Sequence, residues 1–200
     1  MDKYDVSNDH YCLPGSGVLK NKLGILSMEG LEAAEREITG YTHRLIEYSP
    51  PPYSLDTLKR IHFQLFSPLY DWAGEQRNVD ISKGGTRFCT NSRIEAESGK
   101  RFDALRAENW LKGLGHAAFC ERLAEHYCEL NMIHPFREGN GRAQRVLFEH
   151  IALSAGFELN WTHVEPQEWL AANIEGVRVD YRRMCEIFKR IVTPLTADNN

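Results

Sequence analysis

The sequence predicts one mainly helical domain over residues 1–200, with a single small β-hairpin. Three observations lead there. Apolar residues recur at steps of three or four along most of the chain, the period of an amphipathic helix. Strand-like alternation is confined to residues 77–89. Two hundred residues, 42% hydrophobic and 26% charged, suit one domain with a sizeable core.

Residues 1–28 read as an irregular arm, turned at Pro14-Gly15-Ser16-Gly17 and pinned by Tyr4, Tyr11, Val18 and Leu19. Ser27 can cap a helix from about Glu29 to Tyr48, with Leu31, Ala34, Ile38, Leu45 and Ile46 inward. Pro50-Pro51-Pro52 ends it as a rigid connector. Ser54 caps the next helix, to about Tyr70, whose core face is Leu58, Ile61, Leu65 and Phe66. His62 falls on that face and reads as a satisfied core histidine; Trp72 reads as a packing anchor.

Val79-Asp80-Ile81 alternates as a strand, Ser82 to Thr86 forms the turn, and Arg87-Phe88-Cys89 returns. A lone hairpin in a helical domain has no sheet to join, so its edge is expected to be free to add a strand from a partner. A charged helix from about Ile94 to Leu111 follows, with Ala96, Phe102, Leu105 and Trp110 inward. Gly113 and Gly115 precede a helix beginning near His116, with Phe119, Leu123, Tyr127, Leu130 and Ile133 on its apolar stripe. After the loop at 134–145, Val146, Leu147, Phe148, Ile151 and Ala152 mark another core helix, ended by Gly156. Phe157 to Trp161 leads out. Pro166 opens a helix carrying Trp169, Leu170, Asn173 and Ile174. Asp180 caps the last one, with Tyr181, Met184, Ile187, Phe188 and Ile191 inward, before a polar tail from Thr193 expected to fray.

The chemistry concentrates in His134-Pro135-Phe136-Arg137-Glu138-Gly139-Asn140-Gly141-Arg142-Ala143-Gln144-Arg145. The run breaks two core helices, and the opening turn of the second presents unpaired N–H groups and a positive dipole end to an anion. Glycines let a phosphate approach the backbone. Arg142 and Arg145, three apart, fall on one helical face where guanidinium forks can grip phosphate oxygens. Glu138 makes sense in an anion nest if Mg²⁺ bridges it to phosphates. His134 can then act as base for an incoming hydroxyl. A lone histidine or a lone Gly-x-Gly would be read as a capped turn. Base, carboxylate, nest and paired arginines together favour a Mg-nucleotide site. Phe136 is expected to anchor the loop in the core.

This run resembles the signature of the Fic family, His-x-Phe-x-(Asp/Glu)-Gly-Asn-(Gly/Lys)-Arg-x-x-Arg, at every specified position. Asp71-Trp72-Ala73-Gly74 with Arg77, and Tyr11 to Leu19, are similar to further family segments. The resemblance implies the mainly helical Fic fold and transfer of AMP from ATP to a hydroxyl side chain of a target protein. By the same resemblance His134 is the catalytic base and Glu138 the Mg²⁺ ligand. Gly139, Asn140, Gly141, Arg142 and Arg145 hold the phosphates, with Lys83 and Gly84 at the hairpin tip as further nucleotide contacts. The hairpin becomes a flap whose Val79, Asp80, Ile81 and Ser82 hold the target's backbone. Many family members carry an inhibitory (Ser/Thr)-x-x-x-Glu-(Gly/Asn) helix. Here only Ser154 has a glutamate four residues on, Glu158, and Leu159 follows it. The chain therefore resembles a toxin whose inhibitory glutamate comes from a small separate antitoxin, docking on the N-terminal helices and pairing with Arg145. Targets associated with such short members are the ATPase subunits of gyrase and topoisomerase IV.

Competing readings are transfer of another phosphate-containing group on the same scaffold and a non-enzymatic binding module. Gly141 beside Arg142 favours AMP, because phosphorylating relatives carry lysine in the glycine's place. A net charge of −4 argues against direct nucleic-acid binding. The five cysteines, Cys12, Cys89, Cys120, Cys128 and Cys185, follow no disulfide or metal spacing, which fits thiols in a reducing cytoplasm. Histidine spacing disfavours a zinc site. No signal peptide or membrane-spanning run is legible.

Overall fold

The computed structural model describes residues 4–6 and 9–195. Positions 1–3, 7 and 8 of the arm, and 196–200 of the tail, lie outside the described residues. Helices α1 (Met28–His43), α2 (Leu55–Phe66), α3 (Ile94–Ala107), α4 (His116–Asn131), α5 (Asn140–Ser154), α6 (Pro166–Val177) and α7 (Arg182–Ile191) carry the fold. Two small antiparallel sheets accompany them: β1 (Ser82–Lys83) with β2 (Thr86–Arg87), and β3 (Phe157–Leu159) with β4 (Val192–Pro194).

The α4 stripe, Phe119, Leu123, Tyr127, Leu130 and Ile133, is buried as its period requires, and so are Val146, Leu147, Phe148, Ile151 and Ala152 of α5. Helix α4 packs on α7, α6, α3 and α5, while α2 lies against both α1 and α5. Tyr127 gathers Phe148, Trp169 and Phe188 around its ring, at 4.8, 5.1 and 5.7 Å between centroids. Ser54 caps α2 through a reciprocal box with Thr57.

Several boundaries differ from the sequence reading. α1 stops at His43, not Tyr48, because the backbone tightens into three-residue turns there: Leu45 N–H reaches Thr42 O and Ile46 N–H reaches His43 O. Leu45 is left exposed, and the buried face of α1 is Leu31, Glu35, Thr39 and Thr42. α3 stops at Ala107, since Asn109, Trp110 and Leu111 all turn left-handed. That turn sets Trp110 edge-on to Tyr53 at 5.3 Å. Ala96 is exposed; the inward stripe is Ile94, Ser98, Phe102 and Leu105. Thr193 and Pro194 do not fray but pair with Glu158 and Phe157, a sheet unrecognised in so short a run. Among the described residues, no helix is long and apolar enough to cross a membrane.

Candidate active site

His134 follows α4 in a left-handed conformation, φ +44°, which a side-chain-bearing residue adopts only when its surroundings hold it. Arg77 does the holding. Its guanidinium, buried completely, donates from Nε to His134 O at 2.7 Å and from Nη1 to Val79 O at 2.6 Å. Nη2 reaches Cys89 O and, at 3.3 Å, Ile133 O. One side chain thus ties the end of α4 to both legs of the flap. Phe136 is fully buried and stacks on His62 at 3.9 Å. His62 accepts from Gly74 N–H through Nδ1 at 2.9 Å and donates from Nε2 to Glu138 O at 2.9 Å, so it is a satisfied core histidine. Burial pushes its pKa down to about 3.

The His134 ring is stacked face-on by Phe88 at 3.8 Å, and its Nδ1–H donates to Asn131 O. That bond selects the tautomer whose Nε2 keeps a lone pair, as a proton acceptor requires. Burial, opposed by the Asn131 carbonyl and assisted by the charges of Arg77 and Lys83, lowers its pKa to about 3, so the imidazole is neutral at pH 7.

Asn140 opens α5. Its side chain does not cap the helix. It bridges Phe136, accepting from the amide and donating to the carbonyl, each at 2.8 Å, and so closes the loop on itself. Gly139 has φ +79°, and a Cβ there would come within 2.3 Å of the Phe66 ring. At Gly141 a Cβ would meet nothing within 4 Å. The first glycine is demanded by packing. The second is open ground in front of the helix N-terminus, where a phosphate can come close.

Glu138 accepts from Gly139 N–H at 2.9 Å and lies 3.4 Å from Arg142 Nη2. The same Arg142 nitrogen pairs with Glu35 at 2.7 Å, and its guanidinium lies 4.6 Å from the Phe66 ring centroid. Glu35, 4% exposed, also takes the Tyr70 hydroxyl. Sequence reasoning missed Glu35, although its register with Leu31, Thr39 and Thr42 was available as a signal. It missed Asp9 as well, which pairs with the buried Arg137 at 2.9 Å through Nε. Arg145 sits three residues after Arg142 but in different company, with Trp161 at 5.3 Å and Trp169 at 5.1 Å from its guanidinium. Its buried Nε has no hydrogen-bond partner among the described residues. Asn173 bonds Asn131 at 3.0 Å.

The flap is narrower than expected. Pairing is Ser82 with Arg87 and Lys83 with Thr86, so the turn is Gly84-Gly85, both left-handed; Ile81 O takes one further bond from Phe88 N–H at 3.2 Å, and Val79 and Asp80 lead in outside the ladder. Its edge is also not free: Asp5 forms an antiparallel bridge with Ser82. Lys83 Nζ lies 5.9 Å from the Tyr4 ring, and Gly84 is exposed at the tip. Tyr4 is buried beside this flap; burial and the Glu138 charge push its hydroxyl's pKa far up.

The family model described as Fic/DOC matches residues 52–152. The Escherichia coli K12 protein named "Probable protein adenylyltransferase Fic" is 41% identical over 96% of each chain. Protein adenylyltransferase VbhT of Bartonella schoenbuchensis is 36% identical over 99% of this chain and 42% of its own length. Among solved structures, the BepC protein of Bartonella tribocorum with bound AMPPNP superimposes with a TM-score of 0.85 at 28% identity, covering 93% of this chain and 97% of that one. The N-terminal Fic domain of a Bartonella quintana effector with bound ADP gives 0.84 at 29%, covering 94% and 96%. A motif complete at every position, folded onto a helix N-terminus and matched along nearly the whole length of the E. coli protein, establishes that this chain belongs to the Fic/DOC family.

Proposed function

We propose that this protein is a protein adenylyltransferase, transferring AMP from ATP to a hydroxyl side chain of a target protein, within a single domain spanning residues 1–200. The observation that carries the reading is His134, its carbonyl held by Arg77 and its Nδ1 by Asn131 O, beside a helix N-terminus that also presents Glu138 and Arg142.

The triphosphate lies over the first turn of α5, on the backbone N–H groups of Asn140 and Gly141, beside Gly139, whose own N–H is taken by Glu138. Arg142 holds the β/γ end and Arg145 steadies it, with Lys83 and Gly84 closing from the flap. Mg²⁺ fits this donor set. Glu138 would supply one carboxylate, the number such an ion takes beside phosphate oxygens. Held there by Glu138, it would offset charge on the phosphates. The target's backbone lies along the flap, at Val79, Asp80, Ile81 and Ser82. His134 Nε2 takes the proton as the hydroxyl oxygen attacks the α-phosphorus, and the bond to the β-phosphate oxygen breaks to release pyrophosphate. General-base help is typically worth about 10²–10⁴ in rate, and positioned charge supplies much of the remainder.

The protein acts in the cytoplasm as the toxin of a pair. A cleft of 460 Å³ between α1 and α5, lined by Glu32, Arg36, Thr39, Arg142, Arg145 and Trp161, supports an antitoxin site there. Arg145 lines that cleft, where a carboxylate from the partner can pair with its guanidinium. Glu158 stands exposed in β3 beside Thr193, away from this cleft's lining. The leading targets are the ATPase subunits of gyrase and topoisomerase IV. Incubation with α-labelled and γ-labelled ATP tests the reaction. Label must enter the target from the α position only; label from the γ position would make this a kinase.

A further inference from the structure

The flap edge assigned above to the target is filled by the chain itself. Asp5 N–H donates to Ser82 O at 2.8 Å and Ser82 N–H to Asp5 O at 3.2 Å, one hydrogen-bonded antiparallel pair. Successive side chains on a strand point to opposite faces. With Asp5 paired on Ser82, Tyr4 is turned onto the catalytic face. Its buried ring lies edge-on to His134 at 5.9 Å and to Phe88 at 6.1 Å, with the Arg137 guanidinium 5.7 Å from its centroid. Its hydroxyl is close enough to Glu138, Arg137 and Arg142 to feel their charges. From Asp9 onward the arm is fastened differently, by the Arg137 ion pair and the packing of Tyr11, Val18 and Leu19 in the main core.

We propose that Tyr4 and Asp5 are a cis occupant of the target-strand slot. The chain's own N-terminal segment competes with the target for the flap edge, and Tyr4 fills the acceptor space beside His134. This rests on the adenylyltransferase reading. An edge residue offers one N–H and one C=O in the plane of the sheet, and both of Ser82's are spent on Asp5. A target strand cannot take its register until Asp5 leaves. Among the described residues the occupant is held by one backbone pair, the Tyr4 ring and the partly buried Val6, so it can be displaced without unfolding the anchored part of the arm. Its departure uncovers the imidazole.

A disulfide lock tests the proposal. Hydrogen-bonded antiparallel pairs have Cα atoms about 5.5 Å apart, inside the range a disulfide spans. The double variant Asp5→Cys, Ser82→Cys is oxidised, and labelling of bacterial lysate proteins from α-labelled ATP is compared before and after reduction, with the oxidised parent chain as control. Loss of labelling in the locked form, restored by reductant, is expected. Equal labelling in the two forms, or failure of the crosslink to form, overturns the proposal. If the parent chain labels nothing, the adenylyltransferase reading falls, and ATP binding then decides the occupant: locked protein binding ATP more weakly than reduced protein supports it, and equal binding overturns it. Independently, Asp5→Pro removes the N–H that Ser82 O accepts, and should lower KM for the protein target with kcat unchanged.

Discussion

Arg77→Ala is the most exacting test of how the site is held. The guanidinium donates to four backbone carbonyls, three of them at good distance, from a position with no solvent exposure. Each bond to a charged donor has a net worth of about 1.5–3 kcal/mol. Simple addition gives about 4.5–9 kcal/mol for the three, but water entering the vacated space recovers part of it. The expected loss is therefore about 3–5 kcal/mol, as for breaking a buried charged contact. A domain of this size has about 5–15 kcal/mol in all. Urea unfolding monitored by tryptophan fluorescence would show the midpoint fall by about 1.5–2.5 M for a slope of about 2 kcal/mol/M. Arg77→Lys keeps the charge and at most three donors, and should lose less. Arg93→Ala, at an exposed arginine, serves as the control. A loss below about 1 kcal/mol in Arg77→Ala would refute the claim that this side chain clamps His134 to the flap.

The two motif glycines should separate cleanly. Gly139→Ala drives a methyl into Phe66 and should destabilise by about 1–3 kcal/mol, seen as a lowered Tm, whereas Gly141→Ala should leave Tm unchanged and weaken ATP binding by calorimetry. Stability should fall on acidification. His62 titrates at about 3 when folded against about 6.5 unfolded, so the unfolded state binds the extra proton. Its contribution is complete above pH 6.5 and declines by up to about 1.4 kcal/mol per pH unit below it; His62→Gln should flatten that slope in urea titrations between pH 7 and 5. His134→Ala should bind ATP yet transfer nothing, and labelling retained by that variant would remove the assigned base. Arg142→Ala strips a buried carboxylate, Glu35, of its cation; a measurable loss of stability should accompany weaker triphosphate binding, with adenosine binding less affected.

Much of this was legible before any coordinates. The stripe from Phe119 to Ile133 and the run from Val146 to Ala152 predicted α4 and α5, because burial follows helical period. Ser54 and Pro166 marked helix starts through local capping chemistry. The catalytic loop was legible because its chemistry needs particular residues at fixed local spacing. The flap illustrates the limit. Alternation at Val79 to Ile81 suggested a strand, yet pairing began at Ser82, since Gly84-Gly85 fits a two-residue turn and sets the register from the tip.

By itself, the order of residues determined the family, the helical class and the identity of the loop that meets the nucleotide, since caps, periods and the motif act over a few positions. Only the tertiary structure decided what surrounds that loop. Glu35 reaches Arg142 across 107 positions, Asp9 reaches Arg137 across 128, and Asp5 closes an edge that local pattern leaves open. No periodicity links such partners. They meet because helix packing and the return of the arm bring distant segments within hydrogen-bonding distance, and a buried charge or an open edge then takes the group that packing delivers.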